Sequence, residues 1–382
     1  MQLNLMSNKI AIVGVGESDE IGKVPGKSSL QHHAEAAYNA LEDAGISIDQ
    51  VDGLLTAGYS SMVVGEYLGI TPTFTDSTNV GGSSFIIHIA HAMAAIRAGY
   101  CKVVLVTHGQ AGRSARTRVI GDAAEPGAQF EAPYGIINAP AAYSLAASRY
   151  MHVYGEDRTR DAMAEIAVAT RKWAQLNPKA YMRDPMTKDD YHNSRWVAWP
   201  FHLLDCCIVT DAGGAYVITS ADVAKDLKKQ PIWVLGAAES HDHAIISQMP
   251  DLTSPISKNT GSRAFSMAGV GHSDIDLAMI YDSFTYTVLV TLEALGFCKP
   301  GEGPEFVAHQ RTAPEGDFPM NTSGGGLSYT HSGMYGMFLV LEAVRQLRGE
   351  TGERQIKSPK IALVNGTGGY LSSAGTAILS TE

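Results

Sequence analysis

The sequence has little cysteine, and this scarcity excludes several kinds of protein. The 382 residues include only four cysteines, at positions 101, 206, 207 and 298. None of the spacings between them is typical of a metal site, and the adjacent pair Cys206 and Cys207 discourages a simple disulfide. We therefore expect no metal, reduced thiols and a cytoplasmic location.

Long apolar runs and an excess of positive charge are also missing. No stretch is long and apolar enough to span a membrane. The first residues, "MQLNLMSNKIAIVGVG", lack the basic segment and apolar run of a signal peptide. The formal net charge of -10 argues against binding to nucleic acids or anionic membranes. The one obvious basic cluster is "GRSARTRV" at 112–119.

What the sequence does contain is an alternation of buried strands and helices. The apolar runs "KIAIVGVG" at 9–16 and "KVVLVTHG" at 102–109 predict buried strands, and "SLQHHAEAAYNALEDAG" at 29–45 predicts a helix that ends at glycine. Nearly continuous apolar strands are typical of a sheet covered on both faces, which indicates an α/β fold. The segment at about 112–201 has few strand patterns and is interpreted as a helical and loop insertion. The core resumes at 211–220 with "DAGGAYVITS".

One internal similarity suggests a duplication. The segment "ALEDAGISIDQVDGLL" at 40–55 matches "AFSMAGVGHSDIDLAM" at 264–279. In both halves a small-residue turn, a long helix, a glycine and a strand then follow in the same order. We interpret the chain as two copies of one α/β unit, at 1–230 with the insertion and at 231–382. The alternative, that α/β units resemble each other without duplication, stays open.

The first turn with chemical potential is "NVGGSSFIIHIAHAMAAIRAG" at 79–99. Backbone N–H groups at a helix N-terminus can hold an oxyanion or a thioester oxygen, and glycines let a ligand approach the main chain. Gly82, Ser83 and Ser84 are therefore candidate substrate-binding residues. Either serine is a nucleophile only with a base in reach, and the alternative is a helix N-cap.

Three later turns carry further candidates. Tyr281, in "MIYDSFTYTVLVTLEALGF", follows a strand at the edge where α/β sheets bind ligands. Tyr329, His331 and Tyr335 lie in "NTSGGGLSYTHSGMYGMFLVLEAV", and a histidine exchanges protons near neutral pH. The alternatives are core tyrosines and a structural histidine. A fourth glycine-rich loop, "NGTGGYLSS" at 365–373, is expected to line the same cleft with three candidate substrate-binding glycines, Gly366, Gly368 and Gly369.

These turns together resemble the thiolase superfamily, most closely its sterol-carrier-protein-2-type branch, over essentially the whole chain. The resemblance implies a five-layered α/β/α/β/α fold of two similar halves, a homodimer and an acyl-CoA substrate. The segments that carry it are "GGSSFIIHIAHAMAAIRAG", "LLDCCIVTDAGGAYVITS", "YDSFTYTVLVTLEALGF", "NTSGGGLSYTHSGMYG" and "NGTGGYLSSAG".

The sequence differs from thiolases at the positions of their catalytic residues. Thiolases place a nucleophilic cysteine before the first long helix, and that position is Gly82 here. Their second cysteine, on the last glycine-rich loop, is replaced by Asn365 and Gly366. The histidine of the "GHP"-type turn is retained as His331, whereas the residue of the "NEAF"- or "HDCF"-type turn has become Tyr281. A chain without both cysteines cannot form an acyl-cysteine.

The sequence is similar to thiolase-like aldolases that shorten steroid side chains. This likeness implies a retro-aldolase that cleaves a branched or steroid-like 3-hydroxyacyl-CoA and releases a short acyl-CoA, in lipid or steroid degradation. Its catalytic residues would be Tyr281, Tyr329, His331 and Tyr335, and it would need no cofactor beyond the coenzyme A of the substrate. The backbones at 81–84 and 366–369 would hold the thioester oxygen.

The same likeness implies a small partner protein with an OB fold and a zinc ribbon, in a separate chain. Two alternative functions stay open. One is a Claisen-type acyltransferase with Ser83 as the nucleophile, and the other is a non-catalytic scaffold that binds an acyl-CoA.

Overall fold

Strands and helices alternate along the chain in this computed structural model, which describes residues 9–115 and 124–382. The start of the chain and Arg116 and Arg118 of the basic cluster lie outside the described residues. The strands are β1 (Ile10–Glu17), β2 (Gly53–Thr56), β3 (Phe74–Asp76), β4 (Val103–Ala111), β5 (Trp196–Ala198), β6 (Phe201–His202), β7 (Asp211–Ser220), β8 (Ile232–His241), β9 (Leu277–Ile280), β10 (Ile361–Gly368) and β11 (Ser373–Ser380).

The helices include several that are almost entirely buried. Within the described ranges, no helix combines the length and the apolarity needed to cross a bilayer. The helices are α1 (Ser29–Ala44), α2 (Ser61–Leu68), α3 (Ser84–Arg97), α4 (Ala139–Tyr154), α5 (Glu156–Gln175), α6 (Lys188–Asn193), α7 (Ala221–Ala224), α8 (Ser257–Ala268), α9 (Thr285–Leu295), α10 (Gly303–Val307) and α11 (Gly336–Arg348).

The strand order is the same in the two halves of the chain. Among the described residues, nine strands form one continuous sheet in the order β3-β2-β4-β7-β1-β8-β11-β10-β9. The antiparallel pairs β1/β7 and β7/β4 correspond to β8/β11 and β11/β10, and the parallel pair β2/β4 corresponds to β9/β10. A parallel bridge between Ala278 and Met320 takes the place of the β2/β3 pair. Only a short ladder, at Ala11 and Ile12, joins the two groups of strands.

The repeated sequence segment has a repeated structure. Helices α1 and α8 both end at a glycine in the left-handed region, Gly45 with φ 70° and Gly269 with φ 69°. A short 3-10 turn follows each glycine, at Ile48–Gln50 and His272–Asp274, and leads into a buried parallel strand. Glycine is favoured at this helix end because a side chain strains a positive φ. The shared Ala-Gly of the two segments therefore encodes the same helix end.

Helices pack against the strands in layers. Helices α1 and α2 cover the outer face of the N-terminal strands, and α8 covers β8 and β11 on the other side. Helices α3 and α11 lie between the two groups and contact strands of both. The order of layers is therefore α/β/α/β/α.

The segment between β4 and β7 leaves the N-terminal half but packs on the C-terminal half. Its helices α4 and α5 share a hydrophobic cluster with α9, in which Tyr143, Ala146 and Tyr150 pack near Tyr286 and Leu289. Strands β5 and β6 form a separate two-stranded hairpin. The inserted segment therefore covers one side of the region where the two halves meet.

A buried ion pair ties three segments together. Glu17, at the end of β1, is only 3% exposed and pairs with Arg345 of α11. Its carboxylate also lies 2.5 Å from the Nζ of Lys179, which belongs to the inserted segment. Burial alone raises the pKa of Glu17, but the two cations outweigh it and lower the pKa to about 2.

Replacing Glu17 is expected to destabilise the protein in a pH-dependent way. Glu17→Gln should lower the free energy of unfolding by about 3–5 kcal/mol at pH 7, because Arg345 stays buried without its counter-charge. A carboxyl whose pKa is lowered by folding stabilises the folded state above the unfolded pKa of about 4.5, and that contribution is lost as the pH falls toward 2.

Urea denaturation at pH 7 and at pH 3.5 measures this effect. The difference between wild type and variant should be smaller at pH 3.5 by about 1 kcal/mol. Glu20→Gln is the matched control, because the Glu20 side chain is 70% exposed and its replacement should cost less than about 0.5 kcal/mol. An equal difference at both pH values would contradict the assignment.

Candidate active site

A cavity of about 580 Å³ lies where the ends of several strands meet. Gln110 near the end of β4, Tyr281 just after β9 and Gly368 at the end of β10 all line it. Ligand sites of α/β sheets occupy this position, beyond the carboxyl ends of parallel strands. The glycine turn that precedes α3 meets the end of β10 here, since a Cβ on Gly81 would lie 2.9 Å from the amide nitrogen of Gly369.

Tyr281 and His331 form a hydrogen-bonded pair on the cavity wall. The phenol oxygen of Tyr281 lies 3.0 Å from Nε2 of His331 and accepts a hydrogen bond from the backbone N–H of Tyr335, also at 3.0 Å. Burial raises the pKa of Tyr281 well above its usual value and lowers the pKa of His331 to about 4. Both groups are therefore neutral at pH 7. Such a pair can pass a proton from a ligand through the phenol to the imidazole.

The ring of Tyr281 fills the space above Gly82. A Cβ on Gly82 would lie 2.1 Å from Cε2 of Tyr281 and 2.7 Å from the carbonyl oxygen of Thr367. No side chain fits there without moving the ring or the backbone. Position 82 is where the resemblance to thiolases predicts the missing nucleophile. A side chain at position 82 and the ring of Tyr281 therefore compete for the same space.

The hydroxyls of Ser83 and Ser84 have structural partners. The Ser83 side chain is buried and lies 2.7 Å from the hydroxyl of Ser373, and no described residue provides it with a base. Ser84 donates to the carbonyl of Gly81 at 2.7 Å and accepts from the N–H of Val80 at 3.0 Å, which fixes the turn before α3. Neither side chain lines the cavity, so this geometry does not favour the nucleophile that the sequence left open.

Tyr329 and Tyr335 stand behind the pair and outside the cavity wall. The hydroxyl of Tyr335 bonds with that of Ser323 at 3.0 Å, and its ring stacks beside His331 with 6.3 Å between centroids. Tyr329 is buried with its ring edge-on to Phe338, toward Glu17. Of the four tyrosine and histidine candidates, the structure brings only Tyr281 and His331 to the cavity.

The last glycine-rich segment differs from the predicted loop. Strand β10 continues through Gly368, so the turn before β11 contains only residues 369–372. Gly368 and Gly369 line the cavity, whereas Gly366 lies under α3, where a Cβ would come within 2.6 Å of Ile86. Glycine is tolerated inside this strand because α3 approaches the backbone so closely.

Sequence reasoning missed several residues that shape the site. Thr210 accepts a hydrogen bond from the backbone N–H of His331 at 2.9 Å and lines the cavity. Asp282 is fully buried and accepts from the N–H groups of Gly326 at 2.7 Å and Leu327 at 3.1 Å, which fixes the turn that carries His331. Burial raises the pKa of Asp282 to about 7. The backbone N–H groups of the glycine-rich turn need an acceptor, and the aspartate of "YDSF" provides one. This combination was the signal for Asp282.

Comparisons with known proteins agree with this architecture. A family model described as thiolase C-terminal domain-like matches residues 238–381. The chain is 36% identical to a 17-hydroxy-3-oxo-4-pregnene-20-carboxyl-CoA lyase of Mycobacterium tuberculosis, over 95% of this chain and 98% of the relative. It is 34% identical to a steroid side-chain-cleaving aldolase of Thermomonospora curvata, over 96% and 97% of the two chains.

Solved structures show the same likeness. A protein described as Ltp2-ChsH2(DUF35) aldolase superposes with a TM-score of 0.90 at 33% identity, over 98% of both chains. A monomeric SCP2-thiolase-like protein from Mycobacterium smegmatis shares the fold with a TM-score of 0.77 at 22% identity, over 98% of this chain and 78% of that one.

The chain belongs to the thiolase superfamily. Within it, its relatives are steroid side-chain-cleaving aldolases and sterol-carrier-protein-2-type thiolase-like proteins. The predictions of a thiolase-like α/β fold and of an aldolase, which is a carbon–carbon lyase, are confirmed.

A methyl group at position 82 is expected to disturb the site. Gly82→Ala should lower the free energy of unfolding by about 1–3 kcal/mol, because the methyl has to displace the Tyr281 ring or the Thr367 backbone. Urea denaturation measures the change. Gly271→Ala is the control, since its nearest neighbour would be 3.6 Å from the added Cβ, and it should stay within about 0.5 kcal/mol of wild type. Equal stability of the two variants would count against this competition for space.

Proposed function

We propose that this aldolase cleaves a 3-hydroxyacyl-CoA with a branched or steroid-like acyl group and releases a short acyl-CoA. The observation that carries the proposal is the Tyr281–His331 pair above Gly82, where an acyl-cysteine has no room. The names of the two relatives, a pregnene-carboxyl-CoA lyase and a steroid side-chain-cleaving aldolase, support the substrate class.

The proposed reaction is a retro-aldol cleavage. Tyr281 takes the proton of the 3-hydroxyl group while its own proton moves to Nε2 of His331. The bond between C2 and C3 breaks, C3 becomes a carbonyl carbon, and the electron pair passes to C2 and the thioester oxygen as an enolate. A proton delivered to C2 then gives the short acyl-CoA. The steps are proton transfers and one bond cleavage, so the reaction needs no cofactor beyond the coenzyme A of the substrate.

The glycines at the base of the cavity are proposed to receive the thioester. Gly82, Gly368 and Gly369 line the cavity, and their lack of side chains lets a ligand reach the backbone. One backbone donor aimed at an enolate oxygen is worth roughly 3–4 kcal/mol of barrier. Tyr335 is assigned a positioning role, because its amide and its ring hold the pair from behind. Tyr329 is assigned to the packing beneath them.

A product assay tests the proposal with 17-hydroxy-3-oxo-4-pregnene-20-carboxyl-CoA as the probe. The protein co-purified with its small partner should form a 17-ketone and propionyl-CoA in equal amounts. His331→Ala should lower kcat about 10²–10⁴-fold with little change in thioester binding, because the proton acceptor is lost. His241→Ala, an exposed histidine outside the cavity, should keep wild-type kcat.

Two results would contradict the proposal. An acyl group attached to Ser83, seen by mass spectrometry, would favour the acyltransferase. Thioester binding without product in the complete complex would favour the non-catalytic scaffold.

We also propose that the chain forms a homodimer and binds a small protein with an OB fold and a zinc ribbon. Strand β3 is the edge of the sheet, with no strand on its outer side among the described residues. Met62 and Tyr67 of α2 and Tyr100 are exposed nearby, at 76%, 50% and 66%.

The name Ltp2-ChsH2(DUF35) aldolase joins two components, which supports a small partner. We place this assembly in the cytoplasm, where its cysteines stay reduced.

Light scattering after size exclusion tests the assembly. The chain alone should have twice its monomer mass, and co-expression with the partner should raise the mass further. Met62→Glu should yield monomers, because a charge is placed at the dimer face, whereas Met267→Glu on α8, at a methionine that is also exposed (51%), should not. A wild-type monomer would contradict the dimer.

A further inference from the structure

The proposed retro-aldol cleavage requires two groups that handle protons at the substrate. One accepts the proton of the 3-hydroxyl group, and the Tyr281–His331 pair accounts for it. The other delivers a proton to C2 of the enolate. The two remaining tyrosine candidates lie outside the cavity, so the second group has to come from elsewhere.

The cavity contains one more phenol, and it comes from the inserted segment. Tyr143 of α4 lines the cavity and is 3% exposed. Its hydroxyl donates to the carbonyl oxygen of Gly369 at 3.3 Å. This distance is long for a hydroxyl donor, which normally lies at about 2.5–3.0 Å from its acceptor. The bond to Gly369 is therefore weak, and the hydroxyl also lies beside the hydroxyls of Ser283 and Thr367, which line the same cavity.

Rigid elements hold the ring of Tyr143 in place. The ring packs against Phe284, with 4.8 Å between centroids, and edge-on to Tyr370 at 6.4 Å. Asn138 caps the N-terminus of helix α4, and its side chain accepts from the N–H of Ala141 at 3.0 Å. Asn138 itself also lines the cavity, so the first turns of α4 form a wall. A proton donor needs this kind of fixed placement to act on a carbon atom.

The surroundings of Tyr143 keep it protonated. Burial raises the pKa of Tyr143 to about 12, although the hydroxyls of Ser283 and Thr367 and the backbone at Leu371 act in the opposite direction. The phenol therefore carries its proton at neutral pH, which suits a donor rather than a base.

We infer that Tyr143 is the general acid that protonates C2 of the thioester enolate. This inference rests on the proposed function. The Tyr143 O–H bond breaks, a C2–H bond forms from the enolate electron pair, and a phenolate remains. When the products leave, solvent carries the proton held by His331 back to Tyr143, and the enzyme returns to its starting state.

Exchange of the C2 hydrogens of propionyl-CoA in D2O tests this role without the cleavage step. The wild-type complex should introduce deuterium at C2 at a rate that rises with pH, because exchange is the reverse of the protonation and its base is the small phenolate fraction of Tyr143. Tyr143→Phe keeps the ring and its packing but should slow the exchange at least about 100-fold. His241→Ala, at an exposed histidine outside the cavity, should exchange at the wild-type rate.

The cleavage assay on the same variants completes the test. Tyr143→Phe should lower kcat about 100-fold or more, with KM changed less than about 3-fold. Tyr154→Phe, on the same helix but outside the cavity, should match wild type in both assays. Thermal unfolding of Tyr143→Phe close to that of Tyr154→Phe shows that the fold is intact.

The two proposals fail in different ways. Exchange or cleavage by Tyr143→Phe within about 3-fold of wild type would overturn the role of Tyr143, as would absence of exchange in wild type. A wild-type complex that exchanges deuterium through Tyr143 but cleaves no 3-hydroxyacyl-CoA would overturn the proposed function and leave Tyr143 as the acid at C2.

Discussion

The chemistry of this protein depends on a steric exclusion between two residues far apart in sequence. The ring of Tyr281 and a side chain at position 82 cannot occupy the same space. A thiolase nucleophile at 82 and the phenol at 281 are therefore mutually exclusive. With the phenol in place, neither serine at the start of α3 lines the cavity, whose described lining includes two phenols, an imidazole, the thiols of Cys206 and Cys207 and exposed backbone. The proposed reaction uses the phenols, the imidazole and the backbone to stabilise negative charge and to move protons.

Burial makes this arrangement work at neutral pH. Desolvation disfavours the charged form of every group, so it raises the pKa of Tyr281 and lowers that of His331. Each then exists as a neutral donor or acceptor instead of an ion pair. The hydrogen bonds that hold the pair come from backbone groups, including the amide of Tyr335, and Asp282 and Thr210 fix the turn around His331. The network behind the cavity wall is thus structural, and its front edge, formed by Tyr281, His331 and Thr210, lines the cavity.

Much of the fold could be predicted from the sequence, because its signals are local. The apolar runs of β1 and β4 and the Ser-to-Gly limits of α1 follow from residue periodicity and helix ends. The similarity between 40–55 and 264–279 was visible in the sequence because both segments contain a helix that ends at a glycine. Local patterns failed at "NGTGGYLSS", because the glycines inside β10 reflect the close approach of α3 and not a loop.

The site was predictable only in part. Turn position and residue type were enough to find Tyr281 and His331. They did not separate these from Tyr329 and Tyr335, because which tyrosine faces the cavity depends on tertiary packing. Tyr143 left no signal at all, since it lies in a helix with an ordinary pattern and reaches the cavity only because α4 crosses to the other half of the chain.

Because α4 crosses to the other half of the chain, different parts of the sequence determine the placement of the site residues and the shape of the cavity wall. The two halves fix the strand register and with it the placement of Tyr281, His331 and the glycines beneath them. The described part of the inserted segment forms a wall of the same cavity but adds no strand to the main sheet. Substitutions in that wall can therefore change the shape of the cavity while the strands of the main sheet keep Tyr281, His331 and the glycines in place.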